Sequence, residues 1–226
     1  SVIPMPTKFN GKHKGEEACE GYINEIKNSI KNLKSKCRDL GGFIIEPIIS
    51  CGGQVELPDG FLKTAYDLIR ENGGICISDE VQVGCGRLGE SFWGFELHDV
   101  IPDIITIGKP LGNGHPIGAV VCTSEIAESF ANGMEFFNTF GGNPVSCSIA
   151  TQVLKVIKNE NLQKNAKTIG NYFKNELKNL SDKYDIIGDV RGQGLFLGIE
   201  FVDHKMNPLF RDCLLYTSDA ADEVRR

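Results

Sequence analysis

Residues 75–116 read ICISDEVQVGCGRLGESFWGFELHDVIPDIITIGKPLGNGHP, and this stretch decides the fold. It contains two short apolar runs, ICISD and IITIG, each with the length and composition of a buried strand. The first run ends on Asp79, and Lys109 follows the second. Neighbouring strands of a parallel sheet present their carboxyl ends to one crevice. We therefore expect Asp79 and Lys109 to face the same crevice.

An acid and a lysine in one crevice suit a pyridine aldehyde cofactor. The lysine would form a Schiff base with the aldehyde, and the acid would keep the ring nitrogen protonated. Each residue alone has a more ordinary interpretation. An acid at a strand end is commonly a helix cap or a metal or ribose ligand, and a lysine after a strand is commonly a solvated charge. Lys109 differs because Gly108 precedes it and LGNGHP follows Pro110, and such glycines let the backbone approach a ligand closely.

Composition and charge exclude several classes of protein. The chain has 226 residues, 41% of them hydrophobic, and a net charge of −6. This composition is typical of a globular protein with a sizeable core. The acidic balance disfavours nucleic acid as a partner, because phosphate binding needs a basic surface. No run approaches the ~20 apolar residues of a membrane span, so we expect no membrane association.

The cysteines predict neither a metal site nor a disulfide framework. None of the eight forms a CxxC pair, and none lies near a histidine at zinc-binding spacing. We therefore predict no metal and a reducing compartment. The expected location is the cytoplasm, with the mitochondrion as the alternative, because the sequence begins with Ser1 and its natural N-terminus is expected upstream.

Strands and helices alternate along the first half of the chain, which predicts an α/β fold with a mostly parallel sheet covered by helices on both faces. The runs GFIIEP, ICISDE, IITIG and PIGAVVCT are predicted strands, and SFWGFEL and SEIAESFANG are predicted short helices. DIIGDVRGQGLFLGIEFVD is predicted to form two further strands. Hydrophobic spacing and Gly or Asn stops predict longer helices over residues 16–37, 61–71, 145–159 and 162–183.

Three segments are predicted along the chain. Residues 1–160 would form the C-terminal part of a large cofactor-binding domain, and residues 161–212 a connecting helix and the start of a small α+β domain. Residues 213–226 include CLLYTSDAADE, which resembles one translated frame of a transposon-end sequencing adapter. We expect this last segment to be an artefact of assembly. Source codons that differ from the adapter's would contradict that expectation.

Five ordered blocks resemble the class-III aminotransferases, which are pyridoxal 5'-phosphate (PLP) enzymes of fold type I. The blocks are IIEPIISCGG, SDEVQVGCGR, PDIITIGKPLGNGHPIGAVV, FNTFGGNP and VRGQGLFLGIE. The resemblance implies that Lys109 binds the cofactor covalently and moves the substrate proton. It also implies that Asp79 pairs with the protonated ring nitrogen. The GCG and GNG triplets are poor dinucleotide fingerprints, which disfavours a nicotinamide-binding enzyme.

The resemblance also assigns the remaining cofactor contacts. Val81 would pack on the ring face, Gln82 would hydrogen-bond near the ring oxygen, and Glu46 would be an acid beside the ring. Thr139 would reach the cofactor phosphate of the other subunit, so a homodimer with shared active sites is implied. The family's own phosphate loop and ring-stacking aromatic would lie upstream of Ser1, and its substrate-carboxylate arginine downstream. The fragment alone is therefore expected to be inactive.

Departures from the family pattern leave two reactions open. Many of these transaminases read roughly EPIQGEAG, whereas residues 46–53 here read EPIISCGG, with Cys51 in place of the acid. Val83 and Cys85 replace a usual threonine and aromatic. These changes resemble the ethanolamine-phosphate and phosphohydroxylysine phospho-lyases, whereas FWGFELHDVIPDI and FNTFGGNP resemble the alanine–glyoxylate transaminases equally well. Amino-group transfer from an amine or amino acid to a 2-oxo acid is the expected reaction. Phosphate elimination from a phosphorylated amine is the alternative.

Two further side chains have structural rather than catalytic interpretations. Arg87 is expected to form an ion pair rather than to clamp substrate. His115 is expected to hydrogen-bond within its loop rather than to act as a base.

Overall fold

A computed structural model describes residues 1–209, so the predicted artefact at residues 213–226 lies outside the described residues. The helices are α1 (Ala18–Ser35), α2 (Phe61–Glu71), α3 (Ser124–Phe130), α4 (Pro144–Asn159) and α5 (Leu162–Ser181). Short 3₁₀ helices cover Gly15–Glu17, Gly94–His98 and Lys109–Leu111. The strands are β1 (Gly42–Ile45), β2 (Ile48–Ile49), β3 (Val55–Glu56), β4 (Ile75–Asp79), β5 (Ile104–Ile107), β6 (Ala119–Cys122), β7 (Ile187–Gln193) and β8 (Phe196–Phe201).

The central sheet has four strands in the order β1-β4-β5-β6. The β1–β4 and β4–β5 pairs are parallel, and β6 pairs antiparallel with β5. The α/β fold class with a mainly parallel sheet is therefore confirmed. The predicted strand PIGAVVCT forms only at Ala119–Cys122 and supplies the antiparallel edge.

The two faces of this sheet differ in their packing. Side chains alternate between faces along each strand, and paired residues share a face. One side, which we call the covered face, packs against α1, α2 and α4 through the residues Phe43, Ile45, Cys76, Ile105 and Ile107. The other side, the open face, presents the residues Ile44, Ile77, Asp79, Ile104, Thr106 and Val120.

The open face has no apolar layer within residues 1–209. None of its residues belongs to a hydrophobic cluster of the described chain, and Ile44 and Val120 are 58% and 66% exposed. Among residues 1–209, the helices expected on both faces cover only one. An exposed apolar row of this kind indicates a surface that another chain segment or molecule covers.

The core beneath the covered face forms between two amphipathic helices. Tyr22 and Ile26 of α1 pack with Phe61 and Leu62 of α2, and all four side chains are almost completely buried. Helix α2 has the predicted bounds. It ends at Asn72-Gly73, where Gly73 has φ +77° and its N–H donates to the Arg70 carbonyl.

Two local features differ from the sequence predictions. The loop predicted after Glu46 contains a short hairpin, β2–β3, whose two-residue strands are too short for a periodicity argument. The predicted SFWGFEL helix is a 3₁₀ helix that starts at Gly94, and Glu96 Oε2 accepts hydrogen bonds from Phe92 N and Trp93 N.

Helix α5 packs along the β7–β8 hairpin. A turn at Glu160 and Asn161 separates α4 from α5, and Asn161 has a left-handed conformation with φ +53°. The domain limits at residues 160 and 212 stay predictions. In the part of the chain that the structure describes, no helix has the length and apolarity to cross a membrane.

Candidate active site

Asp79 and Lys109 lie at the carboxyl ends of adjacent parallel strands. Asp79 is the last residue of β4 and pairs in register with Thr106 of β5. Lys109 begins the 3₁₀ helix two residues after β5 ends. A Cβ atom placed on Gly108 would lie 3.4 Å from both γ-carbons of Val81, so the two loops are in van der Waals contact. The structure therefore brings Asp79, Val81 and Lys109 together at the carboxyl end of the sheet.

The polar groups around Asp79 suit a protonated ring nitrogen. Asp79 Oδ1 accepts a hydrogen bond from Val81 N at 3.1 Å, which holds the carboxylate in place. Thr106, on the same face and the adjacent strand, has a buried Oγ1 with no hydrogen-bond partner among residues 1–209. A buried hydroxyl without a partner is costly unless a ligand or water satisfies it. The residues present therefore fit the pyridine ring that the sequence predicts.

Glu46 and Gln82 also lie at the carboxyl end of the sheet. Glu46 follows β1, the strand on the other side of β4, and its Oε2 accepts a hydrogen bond from Ser50 N at 2.9 Å. Gln82 and Val81 are half-buried residues of the turn after β4. Their assigned contacts with the cofactor ring stay predictions.

Thr139 lies apart from the other predicted residues, on an exposed irregular segment between α3 and α4. This segment is tied to the loop that follows Lys109. His115 Nε2 lies 2.8 Å from Ser146 Oγ in the first turn of α4, and Asn143 caps that turn by accepting from Ser146 N. His115 thus forms a hydrogen bond, although its partner lies in α4 and not within its own loop.

Glu80 is a buried acid that the sequence reasoning missed. Its side chain points to the covered face and is fully buried. It accepts hydrogen bonds from Gly94 N at 2.6 Å, Phe95 N at 3.0 Å and Ser78 Oγ at 2.9 Å. Burial raises the pKa of the Glu80 carboxyl above its ordinary value, and these hydrogen bonds oppose the rise. The strand alternation places Asp79 and Glu80 on opposite faces and could have revealed this role.

Arg87 and Cys85 lie in the loop that follows Asp79 and Glu80. The expected ion pair of Arg87 is not found among residues 1–209, where no carboxylate pairs with its guanidinium. Instead its guanidinium lies 6.0 Å from the ring centre of Phe196. Burial raises the pKa of the Cys85 thiol to about 11, which keeps it protonated and unreactive at neutral pH.

A sequence model of the family described as Aminotransferase class-III matches residues 1–220. The chain belongs to the class-III aminotransferase family. In this family the chain is similar to "Alanine--glyoxylate aminotransferase 2, mitochondrial" of Homo sapiens. The identity is 49% over 198 residues, which cover 87% of this chain and 38% of that protein.

Two solved structures are similar as well. An Arthrobacter phospholyase in complex with phosphoethanolamine has a TM-score of 0.82 and 39% identity, over 85% of this chain and 46% of that one. The Toxoplasma gondii ornithine aminotransferase, described with partial occupancy of PLP at its active site, has a TM-score of 0.71 and 32% identity. That match covers 79% of this chain and 41% of the other. The chain thus spans less than half the length of these relatives.

Proposed function

We propose that the full-length protein carrying this chain is a PLP-dependent aminotransferase. It would transfer an amino group from a primary amine or amino acid to a 2-oxo acid. One observation carries the proposal. Asp79 and Lys109 lie together at the carboxyl end of the sheet, and the Thr106 hydroxyl beside Asp79 has no hydrogen-bond partner among residues 1–209. Membership of the class-III family and a relative named alanine–glyoxylate aminotransferase support it.

Each residue has a defined task in this reaction. PLP, when bound, supplies an aldehyde that a lysine can hold as a Schiff base and a ring that withdraws electrons from a substrate carbon. Lys109 Nζ would hold that aldehyde in the resting enzyme. Once the substrate amine had displaced it, the freed Nζ would take a proton from the substrate and return it. Asp79 keeps the ring nitrogen protonated. Val81 would pack on the ring face, Gln82 would hydrogen-bond near the ring oxygen, and Glu46 would be an acid beside the ring.

A homodimer completes the proposed site through Thr139. The segment around Thr139 exposes Met134, Phe136, Phe137 and Phe140 by 74% to 83%. Four large apolar side chains in seven residues form a patch that a partner surface covers in stable oligomers. We expect Phe137→Asp to convert the full-length dimer to monomers in sedimentation analysis, with exposed Lys63→Asp on α2 as the control. Dimers that persist in Phe137→Asp would contradict this interface.

The aminotransferase proposal is tested with the full-length protein, L-alanine and glyoxylate. Pyruvate and glycine should form in equal amounts, and Lys109→Arg should abolish turnover because a guanidinium does not form the covalent bond. Lys63→Arg, at an exposed position of α2, is the matched control. Borohydride reduction of the holoenzyme followed by peptide mapping should label Lys109, and a label on another lysine would refute the assignment.

Phosphate elimination is the second candidate, since Cys51 occupies the position where many aminotransferases have an acid and the phospholyase fold is similar. Ethanolamine phosphate without any 2-oxo acid separates the two reactions. Release of phosphate and ammonia in equal amounts, together with acetaldehyde, would establish elimination and displace the first proposal. A strict requirement for glyoxylate or pyruvate supports amino-group transfer.

The compartment of the full-length protein is also a proposal. The seven cysteines of residues 1–209 are free thiols, which suits the reducing cytoplasm that the sequence predicts. The name of the human relative makes the mitochondrion the alternative. Imaging of the full-length protein with a C-terminal fluorescent fusion distinguishes the two.

A further inference from the structure

Arg191 of β7 is a buried cation with three hydrogen bonds. It is 8% exposed, and its Nη1 and Nη2 donate to Asp189 Oδ2 at 2.9 Å and Glu200 Oε2 at 2.6 Å. These two carboxylates belong to the same β7–β8 hairpin and more than offset the charge of the guanidinium. The third bond, from Nε to the Gly53 carbonyl at 2.9 Å, reaches a loop 138 residues away in sequence. Arg191 therefore links the β7–β8 hairpin to the loop that contains Cys51.

Close packing supports the same contact. A Cβ atom placed on Gly198 of β8 would lie only 2.5 Å from the Gly53 carbonyl oxygen. A second tie lies beside it, because Gln193 Nε2 donates to Glu56 Oε1 at 2.9 Å. Lys174 of α5 donates to the Gly192 carbonyl at 2.6 Å, which holds the hairpin on its helix.

The contact continues to Glu46 through the backbone. Gly53 N donates to the Ser50 carbonyl at 3.0 Å, and Ser50 N donates to Glu46 Oε2 at 2.9 Å. Ser50 is buried, whereas the neighbouring Cys51 is exposed. A continuous chain of three hydrogen bonds therefore runs from Arg191 through Gly53 and Ser50 to Glu46.

We propose that Arg191 is a positioning residue, which sets the turn at residues 50–53 and through it the carboxylate of Glu46. This inference rests on the proposed function, in which Glu46 lies beside the cofactor. Because the turn also carries Cys51, Arg191 fixes the position of that side chain as well. Arg191 would act through the turn and not by contact with cofactor or substrate.

The first test needs no catalytic activity. Hydrogen exchange is measured on the full-length protein without PLP, in the wild type, in Arg191→Lys and in Lys174→Met. A lysine keeps the positive charge but cannot make three directed bonds at once. We expect faster exchange at residues 46–54 in Arg191→Lys and a smaller increase in Lys174→Met, which loosens the hairpin and its ion pair with Glu56 but leaves the Gly53 bond. Unchanged exchange at residues 46–54 in Arg191→Lys would overturn the proposal.

The second test asks whether Arg191 and Glu46 act on one path. In the holoenzyme we expect Arg191→Lys to lower kcat/KM about tenfold or more, since a charged hydrogen bond is lost. Glu46→Gln should lower it similarly, and the double variant should be little worse than either. Additive losses would place Arg191 on a separate path and refute the proposal. A wild type without turnover would refute the proposed function, while the exchange test of Arg191 would stand.

A variant that leaves Arg191 intact covers the case in which Arg191→Lys does not fold. Gly198→Ala presses a methyl group against the Gly53 carbonyl and should displace the same turn. Faster exchange at residues 46–54 and reduced kcat/KM in Gly198→Ala support the proposal. A normal turn and normal kinetics in Gly198→Ala would contradict it.

Discussion

The adjacent acids Asp79 and Glu80 differ because they point to opposite faces of one sheet. Glu80 lies under the covered face, where three donors satisfy its carboxylate. Asp79 lies on the open face, where, within residues 1–209, its carboxylate accepts one hydrogen bond, from Val81 N, and the neighbouring Thr106 hydroxyl has no partner. A fully satisfied buried acid stabilises a fold, whereas a held but incompletely satisfied acid can bind a ligand. We therefore expect substitutions on the covered face to change stability and substitutions on the open face to change catalysis.

The largest effect should come from Asp79→Asn on the open face. Asparagine keeps the shape and the hydrogen bond from Val81 N, but it cannot hold a proton on the ring nitrogen. We expect kcat to fall by about a hundredfold to a thousandfold, with a stability change below about 1 kcal/mol. Steady-state kinetics and thermal unfolding of the full-length protein measure both, with the exposed Asp67→Asn as control. A large loss of stability with normal kcat would reverse the comparison.

Glu80→Leu should produce the converse result. Leucine leaves Gly94 N, Phe95 N and Ser78 Oγ without an acceptor in a buried site. We expect a loss of about 2 to 4 kcal/mol in stability, measured as a lowered thermal midpoint without PLP. Glu96→Ala is the matched control, because Glu96 also accepts two backbone hydrogen bonds but is exposed, and it should cost less. Equal losses in the two variants would show that burial of Glu80 is unimportant.

Local chemistry made much of this fold predictable from sequence. The apolar runs predicted all four strands of the central sheet, and the Asn72-Gly73 stop predicted the end of α2. The placement of Asp79 and Lys109 at strand ends followed from the same patterns. A parallel sheet presents its carboxyl ends at one edge, so a strand assignment already implies the neighbourhood of the two residues.

Contacts between distant segments were not predictable. The bond between Arg191 and Gly53 joins residues 138 apart, and no periodicity or spacing encodes it. The β2–β3 hairpin has strands of two residues, which carry no alternation to detect. The open face was also missed, because a strand's apolar content shows that its side chains will be covered but not which segment covers them.

A smaller effect should come from Thr106→Val, which removes the unpartnered hydroxyl and keeps the shape. Without PLP, we expect the variant to be as stable as the wild type or slightly more stable, since no hydrogen bond is lost. PLP affinity should fall by a few-fold if the hydroxyl is satisfied only when the ring is bound. Ser78→Ala on the covered face is the control, and it should lose about 1 kcal/mol of stability. Unchanged PLP affinity in Thr106→Val would show that the Thr106 hydroxyl does not bind the cofactor.

The smallest effect concerns His98, which joins the Gly94–His98 helix to the chain beside Glu46. Its Nε2 lies 3.0 Å from the Pro47 carbonyl, and burial lowers the pKa of the imidazole. The folded state therefore holds neutral His98, while the unfolded chain takes up a proton below its ordinary pKa of about 6.5. Stability should consequently fall as the pH drops below that value.

His98→Gln isolates this contribution, because a glutamine amide donates to the Pro47 carbonyl without titrating. We expect the thermal midpoint of the wild type to drop more steeply than that of His98→Gln between neutral and mildly acidic pH. The difference should be smaller than the effect of Glu80→Leu, since only one proton is involved. The two scans should coincide at neutral pH, where His98 is neutral in both states. If the thermal midpoints of the two proteins changed equally at every pH, His98 would not couple folding to pH. Glu80 would then be the titratable group that stabilises the covered face.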